Sequence, residues 1–166
     1  MIVRLSKPDL HEAELLARDT VFMLEALGVS PRLEDKRQSR VEANKLGFMA
    51  EFAVCRLFDL QPPRLNIATD GGVDLWFDDI SIDVKFSKTN RLIFDSKTKF
   101  QSRIAILGTI CDDPECIKLL GWMSRKDFIK ECRPHDFGYG ERLVVDAVQL
   151  SPIFKLWHEL QSHRFK

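Results

Sequence analysis

Residues 71–88, GGVDLWFDDISIDVKFSK, constrain the fold of this chain more than any other stretch. Apolar and polar side chains alternate on both sides of Asp78 and Asp79, which is the pattern of two half-buried strands joined by a tight turn. A shift of register by one residue would turn about four apolar side chains outward, at a cost of roughly 1.5–3 kcal/mol each. The pattern therefore predicts one register. Its apolar pairs, which share one face of the hairpin, are Leu75 with Ile82 and Phe77 with Ile80.

The opposite face of the predicted hairpin carries charge. In the same register Asp74 lies opposite Asp83, and Lys85 follows Asp83 on the same side of its strand. Facing carboxylates repel one another unless a cation lies between them, and Mg²⁺ or Mn²⁺ prefers carboxylate and carbonyl oxygens. A lysine beside them can position an attacking water or stabilise charge on a phosphate. The alternative interpretation is a solvated strand face with a surface Asp–Lys pair.

The helix that precedes the hairpin supplies a fourth charged group. Apolar residues at helical spacing predict a helix over residues 40–58, and Glu51 lies one turn after Gly47 on it. A glycine in mid-helix costs about 1 kcal/mol relative to alanine, which indicates close packing against a neighbouring backbone. We therefore expect the helix to approach the hairpin at Gly47 and to bring Glu51 towards the two aspartates.

A helix with a glutamate, then an aspartate, then a hairpin partner of the form (D/E)-x-K resembles the PD-(D/E)XK nuclease superfamily. The matching residues are Glu51 in GFMAEFAV, Asp74 in GGVDLWF and Asp83-Val84-Lys85 in SIDVKFS. The usual proline before the first aspartate is absent, and Val73 stands in its place. The match covers roughly residues 41–125 and identifies a superfamily rather than a particular enzyme.

The resemblance implies a restriction-endonuclease-like α/β fold, with a three-layer core in which α-helices flank a central mixed β-sheet. It also implies a metal-dependent deoxyribonuclease, here read as an endonuclease, that hydrolyses DNA phosphodiester bonds with Mg²⁺ (or Mn²⁺). In that scheme Asp74, Asp83 and the carbonyl of Val84 hold the metal, Glu51 completes its shell, and Lys85 positions the attacking water. Sequence-specific, structure-specific and end-dependent cleavage all stay open.

Two other function classes remain as alternatives. The first is a catalytically inactive nucleic-acid-binding module of the same fold, whose usual sign is loss of an acid or of the lysine. In this chain all four positions are filled. The second is an unrelated α/β structural protein, because short motifs arise by chance.

Basic residues cluster directly after the acidic part of the hairpin. The chain has 25 basic and 25 acidic residues and no net charge, yet residues 85–103 hold six bases and one acid. Residues 70–83, by contrast, hold five aspartates and no base. A basic flank beside acids that bind metal is typical of a site that cuts a polyanion, although a solvated loop with chance clustering gives the same composition. The predicted DNA-binding residues are Lys88, Arg91, Lys97, Lys99 and Arg40.

Length and composition indicate one domain of ordinary size. With 166 residues and 45% hydrophobic content, the chain can build a single substantial core. We predict one nuclease-like domain over residues 1–166, with an N-terminal helical extension over 1–39 and a core over 40–166. Neither an apolar signal region nor a membrane-length apolar run is present in the sequence, which predicts a soluble cytoplasmic protein without membrane contact. DNA is the predicted partner, and a homodimer or higher homo-oligomer is left open.

The four cysteines raise the question of a zinc site. Cys111, Cys116, Cys132 and His135 provide the ligand types of a Cys₃His site. The first pair lacks the tight two-residue spacing, and reduced cysteines of a cytosolic protein explain the count equally well. We therefore expect purified protein to carry no stoichiometric zinc and to keep its fold in a chelator.

Periodicity and turn signals predict the remaining elements of the chain. These are a helix over 8–28, a connection over 29–39, strands over 64–68, 103–111, 117–122 and 143–150, a short strand or turn at 92–94, a helix that begins at Ser124, a loop over 133–141, and a closing helix after Ser151-Pro152.

Overall fold

The computed structural model describes residues 1–28, 39–65, 72–138 and 140–164 of the chain. Within those ranges no helix combines the length and the apolar character that crossing a bilayer requires. The elements in chain order are β1 (Ile2–Arg4), α1 (Lys7–Ala26), α2 (Arg40–Phe58), β2 (Leu75–Phe77), β3 (Ile80–Phe86), β4 (Arg91–Phe94), β5 (Ile104–Ile110), β6 (Cys116–Ser124), α3 (Arg125–Glu131), β7 (Arg133–Asp136), β8 (Glu141–Asp146), a short 3-10 helix (Ala147–Gln149) and α4 (Ile153–Arg164).

The strands form two sheets. The larger sheet has five strands in the order β1-β6-β5-β3-β2, and the smaller has three in the order β4-β8-β7. Strands β3 and β5 run parallel, whereas their other neighbours in the larger sheet are antiparallel, so that sheet is mixed. The predicted α/β class with a mixed sheet is confirmed.

The larger sheet has a different cover on each face. Alternate residues of β5 point to opposite sides, so that Ile106 packs towards helices α1, α2 and α4 while Leu107 packs towards the second sheet and α3. The second core contains a cluster of three rings, in which Phe94 stacks on Phe100 with centroids 4.4 Å apart and Phe128 meets both edge-on. Three helices thus cover one face, and a small sheet with one short helix covers the other.

The hairpin of β2 and β3 has the predicted register. Leu75 pairs with Ile82 and Phe77 with Ile80, on either side of a turn at Asp78 and Asp79. Asp78 has a φ of 52°, which places it in the left-handed region that aspartate tolerates better than most residues with a side chain. All four apolar partners are buried, as the hydrophobic pattern required.

Helices α1 and α2 pack side by side and share a buried polar contact. Asp9 lies in the first turn of α1, where its carboxylate accepts a hydrogen bond from the backbone N–H of Ser6 at 3.0 Å. The N–H of Asp9 donates in turn to the Ser6 hydroxyl oxygen, which completes a capping box. The same carboxylate accepts from Arg56 of α2, whose Nη2 lies 2.5 Å from Oδ1. Residues 29–38 of the predicted connection between these helices lie outside the described residues.

Several predicted boundaries differ from the structure. Strand β1 was not predicted, because its three residues are too few to show a period. Strand β7 lies within residues 133–141, which were predicted as a loop. It is an edge strand of the smaller sheet with a neighbour on one side, so the missing N–H of Pro134 does not disrupt a second ladder. The predicted 143–150 strand begins at Glu141, ends at Asp146 and continues as the 3-10 helix. Arg64 and Leu65 belong to no strand, and residues 66–68 of that predicted strand lie outside the described residues.

Candidate active site

Asp83 and Lys85 meet on the face of β3 that the second sheet covers. Strand β3 lies between β2 and β5, so the Asp83 side chain is enclosed on both sides and only 1% exposed. Its Oδ1 lies 2.5 Å from Nζ of Lys85, which is 37% exposed and also lies 5.2 Å from the ring centroid of Phe94. The buried Asp83 carboxylate therefore lies behind Lys85, whose side chain is in contact with solvent.

Asp74 lies directly before β2 and is held at the backbone of β3. Its Oδ2 accepts a hydrogen bond from the backbone N–H of Val84 at 2.6 Å, between the two residues of the Asp83–Lys85 pair. The N–H and C=O of one strand residue point to the same edge, so the Val84 carbonyl is also directed to the Asp74 side. The segment before Asp74 is fixed by Ser102, whose hydroxyl donates to the carbonyl of Gly72 at 2.7 Å.

Glu51 approaches these residues from α2. It lines an open cleft of about 680 Å³ together with Asp74, and its charge acts on the ammonium of Lys85. The structure thus brings the four predicted catalytic residues to one region. The expected reason for this approach was wrong: among the described residues a Cβ added at Gly47 would meet nothing within 4 Å, so none of their backbones packs closely there. Glu51 reaches the site through the position of α2 on the sheet.

Burial and neighbouring charges together leave the pKa values of both Asp83 and Lys85 above their ordinary values. Burial is the largest effect on the pKa of Asp83 and raises it, Lys85 lowers it and Asp74 raises it, and together they leave that pKa at about 7. Burial acts to lower the pKa of the Lys85 ammonium, but the negative charges of Asp83, Asp74 and Glu51 outweigh it and leave that pKa above its ordinary value. Lys85 therefore stays protonated at neutral pH.

The carboxylate and carbonyl oxygens at this site are of the chemical type that a hard divalent cation binds. Neither carboxylate oxygen of Asp83 has a well-formed hydrogen bond among the described residues, although both are buried. Such oxygens are costly unless a cation compensates them, and in this structure Lys85 is that cation. Two carboxylates and the Val84 carbonyl are ligands that Mg²⁺ or Mn²⁺ accepts, with water completing the shell. The described residues contain no ready-made group of three or more His, Cys, Asp or Glu side chains around a common centre.

The predicted DNA-binding residues divide into two groups. Lys88, Lys97 and Lys99 are exposed, in the turn after β3 and in the loop between β4 and β5. Arg91 is engaged within the protein, because its Nε lies 3.0 Å from Asp146 Oδ1 and its Nη1 3.0 Å from His135. Arg40, the first residue of α2, lies 3.6 Å from Glu25. Only the three lysines present a side chain without a defined ion pair among the described residues.

Trp76 and Arg64 also line the cleft, and neither was predicted as a site residue. Trp76 of β2 is 60% exposed although it is a large aromatic side chain. A signal for Trp76 was present in the sequence: it alternates with Leu75 and Phe77 and so falls on the polar side of the hairpin with Asp74. An aromatic side chain at a polar position of a strand needs a reason other than the core.

The candidate zinc ligands lie on several elements. Cys116 begins β6, Cys132 follows α3, and His135 lies in β7, where its Nε2 contacts Arg91. The four cysteines are free thiols, and the described residues that include them form no group of metal-binding type. That the purified protein carries no zinc stays a prediction.

The chain was compared with protein-family models, with curated proteins and with solved structures. The resemblance stated above consists of four residues and their order on a helix and a hairpin. None of the three comparisons finds a match to this chain.

Proposed function

We propose that this protein is a metal-dependent deoxyribonuclease of the cytoplasm that hydrolyses DNA phosphodiester bonds, with Mg²⁺ or Mn²⁺ as cofactor and a restriction-endonuclease-like core. The observation that supports it best is the buried Asp83–Lys85 contact, with Asp74 bonded to the backbone between the two residues. A surface Asp–Lys pair would not be enclosed in this way. An acid kept at 1% exposure beside a second acid is costly and suits a cation-binding site.

The roles follow from position and charge. Asp74, Asp83 and the Val84 carbonyl would hold the divalent ion, with Glu51 at the edge of the same cleft. When bound, such an ion neutralises charge on the phosphate and lowers the pKa of water. Lys85 is protonated and partly exposed, so it is suited to donate hydrogen bonds to the attacking water and to a phosphate oxygen. In the metal-free protein the raised pKa of Lys85 makes it a poor general base, so we assign it positioning of the water rather than proton removal.

The decisive experiment changes Lys85 and Asp83 separately and measures plasmid cleavage with Mg²⁺ alongside DNA affinity. Lys85→Ala should slow cleavage by about 10²-fold or more and leave affinity within a few-fold, because the ammonium acts mainly in the transition state. Asp83→Asn should also stop cleavage. It should leave binding intact or tighten it, since it removes a negative charge near the phosphates.

Matched controls lie on the same hairpin and on α4. Asp78→Asn makes the same chemical change in the exposed turn, and Lys155→Ala removes an exposed lysine of α4. Both should cut DNA as the parent does. If Lys85→Ala and Asp83→Asn also cut at the parent rate, the active site lies elsewhere and the proposal is wrong.

A non-catalytic DNA-binding module is the second candidate. Two observations favour it: Lys85 already neutralises Asp83, and the described residues hold no group of three metal-binding side chains. Such a module would retain DNA in a salt-dependent manner and show no Mg²⁺-dependent cleavage of circular, linear, branched or single-stranded DNA. The same substrate panel distinguishes the two functions.

A further inference from the structure

The cleft beside Asp74 has a chemistry that the proposed hydrolysis does not use. Its lining is mixed: Phe48 of α2, Pro62, Pro63 and Trp76 of the edge strand β2 contribute apolar groups, and Arg64 contributes a cation. Among the described residues that line it, the acidic ones are Asp74 and Glu51. A phosphate can pair with Arg64, but it gains nothing from the apolar side chains and is repelled by the carboxylates unless a cation lies between. A flat, uncharged ring is the group that the apolar side chains accept.

Trp76 is the largest unexplained feature of this cleft. The side chain is 60% exposed, whereas its neighbours Leu75 and Phe77 on the same strand are at most 5% exposed. An indole in water forfeits much of the free energy that its burial would give, and edge strands usually carry charged residues instead. The two-residue separation from Asp74 corresponds to about 7 Å along a strand, a distance that a single nucleotide spans.

We propose that Trp76 is a stacking platform for one unpaired base of a DNA strand whose neighbouring phosphate lies at Asp74. The assignment rests on the proposed nuclease function for the identity of the polymer. It deepens that function by naming the substrate class: DNA that is single-stranded or splayed open next to the scissile bond. A paired base cannot offer its face to the indole, because its neighbours in the duplex already stack on it.

The alternative occupants of the cleft are less well matched. A second copy of this chain would bring another Asp74–Glu51 pair or another surface of mixed charge, and a protein segment would need polar partners for its backbone. A base needs only a ring face and apolar edges, and its phosphate lies beside Asp74, where the proposed cation would bind. The presence of apolar side chains and two acids in the lining of one cleft therefore favours the nucleotide.

The test measures binding in a Lys85→Ala background with Mg²⁺, so that the ion is available to the phosphate and cleavage is slow, with a short oligothymidylate and a short duplex as probes. Trp76→Ala should weaken binding of the single strand by roughly 5- to 100-fold, which is the range for loss of one aromatic–base stack. Trp76→Phe should retain most of that affinity, because phenylalanine also stacks. Affinity for the duplex should change by less than about twofold in either variant.

Trp157, 39% exposed on α4, provides the matched control. Trp157→Ala should bind the single strand as the parent does. An independent readout is quenching of tryptophan fluorescence by the oligothymidylate: Trp76→Phe should abolish it and Trp157→Phe should preserve it. This readout decides the question even if Trp76→Ala does not fold, which circular dichroism would reveal.

The possible failures are distinct. Unchanged single-strand affinity in Trp76→Ala, or equal losses in Trp76→Ala and Trp157→Ala, overturns the platform. Conversion of a dimer to a monomer by Trp76→Ala, without an effect on strand binding, overturns it in favour of a second copy. If Trp76→Ala weakens strand binding but no Mg²⁺-dependent cleavage occurs, the stacking platform stands and the nuclease proposal fails. If Lys85→Ala stops cleavage but Trp76→Ala does not change strand binding, the nuclease proposal stands and the stacking platform fails.

Discussion

Asp83 is the residue at which burial and charge oppose each other most directly. Its pKa of about 7 in the folded protein exceeds the ordinary value of 3.8 that the unfolded chain has. Between these two values the folded state holds more protons than the unfolded chain, so the free energy of unfolding falls as the pH rises and levels off above about pH 7. Lys85, with a raised pKa, stays charged throughout this window.

Asp83→Asn should remove this part of the pH dependence. Urea denaturation of the metal-free parent between about pH 4 and pH 8 should show stability that declines with pH, and the variant should show a flatter profile over the same range. Asp78→Asn, in the exposed turn, should keep the profile of the parent. Parallel profiles for the parent and Asp83→Asn would mean that Asp83 titrates with an ordinary pKa.

Replacement of two glycines by alanine should change the free energy of unfolding in opposite directions. At Gly121 of β6 an added Cβ would lie 2.6 Å from Cβ of Leu150 and 2.8 Å from the carbonyl of Ser151, where the backbone of Ser151 bonds to that of Trp122. Gly121→Ala should therefore lower the free energy of unfolding by about 1–3 kcal/mol. Gly47→Ala has open space in mid-helix and should raise it by up to about 1 kcal/mol.

Denaturant titrations of these two variants test the packing, and a cleavage assay of Gly47→Ala tests the site. The helix gains stability without a change at Glu51, so Gly47→Ala should cleave DNA at the parent rate. A loss of stability in Gly47→Ala would show that some group does pack at that position. A neutral Gly121→Ala would mean that the Leu150–Ser151 segment is free to move away from β6.

Elements whose apolar residues recur at a clear helix or strand spacing were predictable from the sequence. Elements that form because of a partner far away in the chain were not. The β2–β3 register followed from alternation, since Leu75, Phe77, Ile80 and Ile82 can all be buried in only one pairing. Asp74 and Asp83 came together for the same reason. Strand β1 exists because β6 offers it an edge, and a three-residue segment shows no period of its own. The role of Gly47 was misjudged because an open position and a packed one look alike in a sequence.

At the scale of the whole molecule, the numbers of acidic and basic residues are equal, but the two kinds cluster in different segments. The chain has no net charge, so under the proposed function long-range attraction to DNA comes from local clusters such as the exposed Lys88, Lys97 and Lys99. The electrostatic part of binding should therefore depend on a few residues. Arg91 should matter less, because Asp146 already compensates its charge.

Replacing Lys88, Lys97 and Lys99 together by alanine should weaken DNA binding and flatten its salt dependence. The slope of log affinity against log salt should fall by about 0.9 for each phosphate that the variant no longer neutralises. Lys7, Lys130 and Lys155, three exposed lysines on other elements, provide a control triple variant with the same change in net charge. If the slope falls equally in both triple variants, the attraction is a property of net charge and not of the basic flank.

The pairing of β1 with β6 has a consequence for synthesis of the chain. Val3 pairs with Ile117, so β1 has no partner until more than a hundred further residues have left the ribosome. At about 5–20 residues per second this takes roughly 6–23 s. The ladder between β3 and β5, which encloses Asp83, needs only residues up to Gly108 and can form earlier. During synthesis the strands of the candidate site can therefore meet before β1 has a partner, and a chaperone that binds nascent strands has that interval in which to hold β1.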